Sequence, residues 1–141
     1  MGVNLYNKSG YLDPTVYEAL TNIEREKKQK KKIVFICSPY AGDVESNVMR
    51  TKRYARYAVT EGMVPIIPHL MYPPFLFDGD QEERKLGIEM GLVLLEKCDE
   101  LWMFGSQVSQ GMAIEIKKAK AQNITIRKFS TECKWIGGAK R

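Results

Sequence analysis

A run of five apolar and largely β-branched residues, Ile-Val-Phe-Ile-Cys, occupies positions 33–37 of the chain. A run of this kind, without polar alternation, is typical of a strand covered on both faces of a sheet. Helix and strand patterns alternate along the chain after it. We predict helices over residues 43–61, 81–97 and 109–122, and further strands over residues 64–67, 101–104 and 124–127.

Helices of this length between strands imply right-handed crossovers and a parallel sheet with helices on both faces. The sequence therefore predicts a three-layer α/β/α fold, with a Rossmann-like or flavodoxin-like parallel sheet of four to five strands. We assign this domain to residues 33–128. Residues 1–32 are predicted as an N-terminal helical appendage with a Lys-rich linker, and residues 129–141 as a C-terminal tail.

The length and the charge distribution narrow the class of protein. With 141 residues the chain is long enough for one domain with a buried core and too short for two. Its net charge of +5 would suit a nucleic-acid partner, but residues 33–128 carry equal numbers of basic and acidic side chains. We therefore expect no nucleic-acid partner. The absence of a long apolar segment or a signal-peptide pattern predicts a cytoplasmic protein with no membrane partner.

Cysteine and histidine usage argues against a metal centre. Cys37, Cys98 and Cys133 are widely separated and include no Cys-x-x-Cys pair, which predicts reduced thiols. His69 is the only histidine, so a His-rich zinc site is excluded. We expect neither a metal nor a cofactor.

Segments rich in glycine and hydroxyl groups follow three of the predicted strands. In a parallel α/β sheet, ligands bind outside the carboxyl ends of the strands. Backbone amides, hydroxyls and helix N-termini at that edge suit a nucleotide or a sugar. The candidate ligand-binding residues are Ser38, Pro39, Tyr40, Gly42, His69, Gly105, Ser109, Gly111 and Met112. For His69, contact with a base or phosphate and a structural role both remain open.

Glu115 lies about one and a half turns into the helix predicted over residues 109–122, on the same side as Gly111 and Ala119. These small neighbours leave open space beside the carboxylate. The positive end of the helix dipole favours the ionised form, which a nucleophile requires. The alternative is an exposed Glu115 that forms a surface ion pair with Lys118.

The segment Ser-Gln-Gly-Met-Ala-Ile-Glu at positions 109–115 follows the strand-like residues 98–105. Together they resemble the signature of the nucleoside 2-deoxyribosyltransferase superfamily, which includes the 2'-deoxynucleoside 5'-phosphate N-hydrolases. With Ser-Pro-Tyr at 38–40 and Pro-His-Leu at 68–70, the chain looks like an uncharacterised bacterial and phage branch of that superfamily, known as a domain of unknown function. The resemblance covers about residues 33–128.

This resemblance implies a reaction and a set of roles. In the superfamily, the glutamate that matches Glu115 attacks the anomeric carbon of a 2'-deoxynucleoside or its 5'-monophosphate and expels the base. A second base or water then resolves the glycosyl-enzyme ester. By the same resemblance, Ser109 and the amides near Gly111 contact a 5'-hydroxyl or 5'-phosphate, while Ser38 and Tyr40 border the sugar and base. The resemblance also implies a homo-oligomer of two or more copies.

One position departs from the superfamily pattern. An aspartate that assists the nucleophile or the departing base is usual where this chain has Gly91. Glu89, Asp78 and Asp80 are the candidate auxiliary acids that remain nearby. Alternatively, the chain is a non-catalytic module that binds a nucleotide or a nucleotide-derived signal. Nucleic-acid binding through residues 24–32 is a third alternative, which the neutral domain disfavours.

The loop predicted over residues 68–79 is rich in proline and aromatic residues. An apolar segment of this kind is seldom left in water. It is either a lid over a base, where aromatic stacking is useful, or a contact between subunits.

Overall fold

The computed structural model of the chain describes residues 13–28 and 30–140. Residues 1–12 and 29 of the predicted appendage lie outside this description, as do the side chains of residues 24–29, which are part of the segment 24–32 of the nucleic-acid alternative. The chain divides into two compact units, Met1–Lys31 and Lys32–Arg141. In chain order the elements are α1 (Pro14–Lys28), β1 (Ile33–Cys37), α2 (Val44–Thr60), β2 (Val64–Ile66), α3 (Pro68–Met71), α4 (Gln81–Glu96), β3 (Glu100–Phe104), α5 (Gln110–Ala121), β4 (Thr125–Phe129) and β5 (Trp135–Gly138).

The second unit is a five-stranded sheet with the strand order β2-β1-β3-β4-β5. Strands β1 to β4 are parallel, and β5 is antiparallel to β4. The predicted three-layer α/β fold is therefore confirmed, with one antiparallel edge strand. Within the described residues, no helix combines the length and the apolar character that a membrane span requires.

Strand β5 lies in the segment that we predicted as a tail, so the all-parallel expectation was incomplete. Its sequence, Trp-Ile-Gly-Gly, is short and contains two glycines, which gives little strand signal. Gly138 has a φ of 71° and packs directly against the backbone of Ile126, an arrangement that leaves no room for a Cβ. The pairing with β4 thus overrides a weak local propensity.

Alternation along β1 divides the core into two clusters, one on each face of the sheet. One cluster packs against α4 and α5 and contains Phe35, Cys37, Leu95, Cys98, Leu101, Met103, Met112 and Ala119. The other packs against α2 and contains Val34, Ile36, Tyr54, Ala58, Trp102, Phe104 and Phe129. Because both faces are covered, the run at positions 33–37 is apolar without interruption.

Polar side chains fix where α2 and α4 begin. Asp43 Oδ1 accepts a hydrogen bond from the amide of Ser46 at the start of α2. Asp80 Oδ1 accepts from the amides of Glu82 and Glu83 at the start of α4. Each cap satisfies amides that have no partner within the helix.

Residues 68–79, which we predicted as a loop, begin with the short helix α3. Pro68 occupies the first turn, where the fixed φ of proline favours a helix and its missing N–H costs nothing. The loop prediction overlooked this role of proline. As a result, His69 is held on a helical turn directly after β2.

Glu100, at the start of β3, is buried and accepts hydrogen bonds from three side chains. Arg127 Nε and Trp102 Nε1 donate to Oε1 at 2.6 Å and 2.9 Å, and Lys32 Nζ donates to Oε2 at 3.0 Å. Burial alone would raise the pKa of Glu100, but these hydrogen bonds lower it to about 2. Arg127 Nη1 also donates to the carbonyl of Ala139 at 2.9 Å, so one ion pair links β3, β4 and the residue after β5.

We expect Arg127→Leu to destabilise the domain by about 3–5 kcal/mol, because it leaves the Glu100 carboxylate buried without its main partner. Chemical denaturation at pH 7 measures this change. Glu96→Gln is the matched control, since it removes an ion pair between Glu96 and Lys118 on the surface and should have little effect. Equal losses in the two variants would contradict a structural role for the buried pair.

Candidate active site

A cavity of about 280 Å³ lies at the carboxyl edge of the parallel strands. Its walls come from the loop after β1, from α3 and the loop that follows it, from α4, and from the start of α5. The lining residues are Tyr40, Ala41, Pro68, His69, Tyr72, Pro73, Leu76, Asp78, Glu83, Arg84, Gly87, Ile88, Gly91, Ser109, Gln110, Gly111, Met112 and Glu115.

Several of the residues that we singled out from the sequence line this cavity together. They are Tyr40, His69, Asp78, Ser109, Gly111, Met112 and Glu115. Their segments are far apart in the chain and meet because parallel strands end at one edge. This cavity is the candidate active site.

Other predicted residues lie outside the cavity lining and have structural partners. The Ser38 hydroxyl is buried and shares a hydrogen bond of 2.9 Å with the Thr51 hydroxyl. Gly42 and Gly105 have φ values of 95° and 91°, a conformation that glycine adopts without strain at the ends of strands and loops. These residues shape the rim without lining the cavity.

Pro39, Asp80 and Glu89 are also outside the lining. Pro39 sits in the turn after β1, and Asp80 is occupied as the cap of α4. Glu89 is exposed on α4. Of the three candidate auxiliary acids, the structure thus places only Asp78 on the cavity wall.

The contribution of α4 was missed from the sequence. Arg84, Gly87, Ile88 and Gly91 line the cavity with the spacing of one helical face. The signal was present in the two glycines four residues apart, which expose the backbone of this face. We had considered α4 mainly for its apolar, inward-facing residues.

Helix α5 points its first turn at the cavity. Ser109 is the cap, and its Oγ accepts a hydrogen bond from the amide of Met112 at 3.2 Å. A Cβ on Gly111 would meet no atom within 4 Å, so the space beside this turn is open. The first amides of a helix lack partners within it and favour a negative or oxygen-rich ligand group.

Glu115 Oε1 is buried and has no hydrogen-bond partner. Burial raises the pKa of this carboxyl to about 8, and the nearby Cys37 thiol lowers it only in part by hydrogen bonding. The expectation that Glu115 stays ionised is therefore wrong for the free protein at neutral pH. The helix dipole fades within the first turn, and Glu115 lies beyond it, so desolvation dominates.

The alternative of a surface ion pair between Glu115 and Lys118 is also wrong. Lys118 Nζ lies 2.7 Å from Glu96 Oε1, on the neighbouring helix α4. Glu115 instead belongs to the wall of the cavity.

His69 also lies on the wall of the cavity. Its Nδ1 is buried without a hydrogen-bond partner, and its ring packs against Tyr40 with 5.1 Å between ring centroids. Burial lowers the pKa of His69 to about 4, and the nearby Asp78 carboxylate opposes this shift only weakly. The imidazole is neutral over the physiological pH range.

Gly91 lies on the cavity wall where the superfamily usually has an aspartate. A Cβ at this position would lie 3.5 Å from Pro68, an ordinary contact distance. The position therefore has room for a Cβ. Among the described residues, no group of three His, Cys, Asp or Glu side chains is arranged to hold a metal ion.

We expect Glu115→Gln to stabilise the protein relative to wild type increasingly as the pH rises from about 4.5 to 8. A raised carboxyl pKa means that the folded state holds the proton more tightly, so wild-type stability falls over this range. Each unit of pKa difference corresponds to about 1.4 kcal/mol. Thermal melts of both proteins from pH 4.5 to 9 measure the difference, which would be independent of pH if Glu115 titrated normally.

Three solved structures resemble the fold. The 2-deoxyribosyltransferase from Bacillus psychrosaccharolyticus is 16% identical with a TM-score of 0.59, and the match covers 70% of this chain and 72% of that chain. A conserved protein from Enterococcus faecalis V583 is 14% identical with a TM-score of 0.50, covering 71% and 64%. A 2-desoxiribosyltransferase from Leishmania mexicana is 19% identical with a TM-score of 0.48, covering 70% and 64%. The chain thus spans less than two thirds of the length of the last two.

The similarity to the first structure shows a nucleoside 2-deoxyribosyltransferase-like fold, as the sequence resemblance predicted. No curated protein matches the chain. Residues 32–129 match a sequence family over more than half of the chain, and the chain belongs to that family, described as Domain of unknown function (DUF7768).

Proposed function

We propose that this protein cleaves or transfers at the N-glycosidic bond of a 2'-deoxynucleoside or its 5'-monophosphate, with Glu115 as the nucleophile. The observation that carries the proposal is the unpaired Glu115 Oε1 in the cavity wall. An unpaired buried carboxyl is costly for stability, and such groups concentrate at functional sites. The fold of the Bacillus psychrosaccharolyticus 2-deoxyribosyltransferase supports the same reaction class.

The remaining contacts suit such a substrate. The first turn of α5, with the Ser109 hydroxyl, offers donors to a 5'-hydroxyl or 5'-phosphate. Tyr72, Pro73, Leu76 and Ile88 give the opposite wall an apolar surface that suits a flat base. Glu115 lines the same cavity from α5, about one and a half turns after Ser109, and we propose that it faces the anomeric carbon of the sugar.

The reaction proceeds in two balanced steps. The ionised Glu115 carboxylate attacks C1' of the sugar, and the C1'–N bond breaks with its electron pair moving to the base. Water or a second base then attacks C1' and loses a proton to the group that protonated the first base, and the C1'–O ester bond breaks, which releases the free sugar or a new nucleoside and restores the carboxylate. Because the pKa of Glu115 is about 8, only roughly a tenth of the free protein carries the required carboxylate at pH 7.

The site offers few groups that could protonate the leaving base. Gly91 offers no acid, and the neutral His69 with a pKa of about 4 is a poor proton donor at pH 7. Asp78 is the auxiliary acid that we propose, since it lines the cavity. Water is the other source of a proton for the leaving base.

We expect the wild-type protein to release free base from at least one of the four 2'-deoxynucleosides or their monophosphates. Below pH 8, kcat/KM should rise close to tenfold per pH unit, because the reaction needs ionised Glu115. Chromatography of the base, with and without an added acceptor base, measures the rate. Glu115→Gln should abolish release, and the wild type should show a covalent adduct with the mass of a deoxyribosyl group.

Unchanged base release by Glu115→Gln would contradict the role of this residue. No release from any substrate, combined with tight nucleotide binding, would favour the alternative function. That alternative is a non-catalytic module for a nucleotide or a nucleotide-derived signal. Two observations favour it specifically: the missing acid at Gly91 and the largely protonated state of Glu115 in the free protein.

We expect Gly91→Asp to accelerate base release by about 10- to 100-fold, within the range that a positioned general acid contributes. The backbone accommodates a side chain here, with Pro68 at ordinary contact distance. Gly91→Ala is the matched control, because it fills the same space without an acid. Equal rates in the two variants would show that an acid at this position is not what limits the reaction.

The homo-oligomer implied by the resemblance also stays a proposal. Phe75 and Phe77, in the loop between α3 and α4, are 67% and 72% exposed. This apolar surface next to the cavity supports either a lid over the base or a contact with a second copy.

A further inference from the structure

Two buried side-chain atoms among the described residues lack a hydrogen-bond partner, and both belong to the same cavity. They are Oε1 of Glu115 and Nδ1 of His69. Buried polar atoms in folded proteins are nearly always paired, so two exceptions on one wall call for a common explanation. A ligand that supplies a partner to each atom provides it.

The His69 ring is held in place from two sides. It follows Pro68 in the first turn of α3, and its ring packs against Tyr40 at 5.1 Å between centroids. His69 is also one of the residues that line the cavity. A ring held in this way can contact only one part of a bound ligand.

The neutral charge of His69 makes a phosphate a less favourable partner than an uncharged ligand group. The titratable and charged side chains that share its cavity are Tyr40, Tyr72, Asp78, Glu83, Arg84 and Glu115. Among these, the Asp78 carboxylate is the one that raises the pKa of His69, and burial outweighs it. A neutral imidazole presents one donor and one acceptor and has no net attraction for a phosphate.

The position of His69 matches the base end of the cavity. The Ser109 turn and Glu115 on α5 account for the 5' group and the anomeric carbon. His69 adjoins Pro68, which a Cβ on Gly91 of α4 would contact, and it lies near Asp78 in the same segment as the apolar lining residues Tyr72, Pro73 and Leu76. The part of a nucleoside that remains for this region is the base.

We infer that His69 is a specificity residue that hydrogen-bonds the edge of the nucleobase through its buried Nδ1. This inference rests on the proposed function only for the identity of the ligand as a nucleoside. It holds equally for an enzyme and for a non-catalytic nucleotide-binding module.

The test measures binding in the Glu115→Gln background, so that the ligand stays intact. Calorimetry gives Kd for each of the four 2'-deoxynucleosides and its 5'-monophosphate. For the preferred base, His69→Ala should raise Kd about tenfold, by the same factor for nucleoside and monophosphate, since the phosphate is not involved. His69→Asn should restore part of the affinity, because its amide also offers one donor and one acceptor.

The pH dependence of Kd distinguishes a contact between His69 and the base from a contact between His69 and a phosphate. We expect the Kd of the Glu115→Gln protein to stay constant between pH 5.5 and 8.5, because the imidazole of His69 is neutral throughout this range. A loss confined to the monophosphates in His69→Ala, or one that appears only below pH 6.5, would overturn the inference in favour of phosphate binding. Equal Kd values for His69→Ala and the parent with every base would also overturn it.

Failure of the inference is distinguishable from failure of the proposed function. If the wild type releases base while His69→Ala leaves Kd and base preference unchanged, the function stands and the role of His69 is wrong. If none of the eight compounds binds, both are wrong. If binding depends on His69 but no base is released, the inference holds for the non-catalytic alternative.

Discussion

The parallel pairing of β1 with β2 on one side and β3 on the other is the constraint that creates the site. Parallel strands begin at one edge of a sheet and end at the other, so the chain must return by a helix after each strand. The turns after β1, β2 and β3 therefore meet, although they lie far apart in sequence. Tyr40, His69 and Ser109 each come from one of the segments that follow these strands, and all three line the cavity.

Two buried glutamates show how the same side chain acquires opposite properties within this sheet. Glu100 accepts hydrogen bonds from Arg127, Trp102 and Lys32, and its pKa falls to about 2. Glu115 has only the Cys37 thiol nearby, which donates to the carbonyl of Met112, and the pKa of Glu115 rises to about 8. Both groups lose hydration, so the number and strength of the donors decide the sign of the shift. Glu100 stabilises the fold, whereas Glu115 remains unsatisfied at the place where a ligand would bind.

Periodicity in the sequence was sufficient for β1 to β4, for α2, α4 and α5, and for the position of Glu115 on the helix that faces the sheet edge. It did not predict the burial, the charge state or the hydrogen-bond partners of these residues. The charge state of Glu115 depends on desolvation by segments distant in sequence, including Cys37 in β1, and no local pattern reports that. The hydrogen bond between Ser38 and Thr51 could not be predicted for a similar reason, since it forms only when α2 packs on the sheet. The strand β5 was missed because tertiary pairing, and not its own composition, makes it a strand.

The interior of the cavity is almost without charge in the free protein at neutral pH. Glu115 is mostly protonated, His69 is neutral, and Gly91 replaces an acid. The charged groups on the lining are Asp78, Glu83 and Arg84, from the start of α4 and the loop before it. An uncharged interior favours the sugar and base over a free anion. Donation of a hydrogen bond from a sugar hydroxyl to Glu115 Oε1 would satisfy this atom and lower the carboxyl pKa. Under the proposed function, ligand binding itself would then produce the carboxylate that the reaction needs, and the high pKa of the free protein would be a property of the unoccupied state.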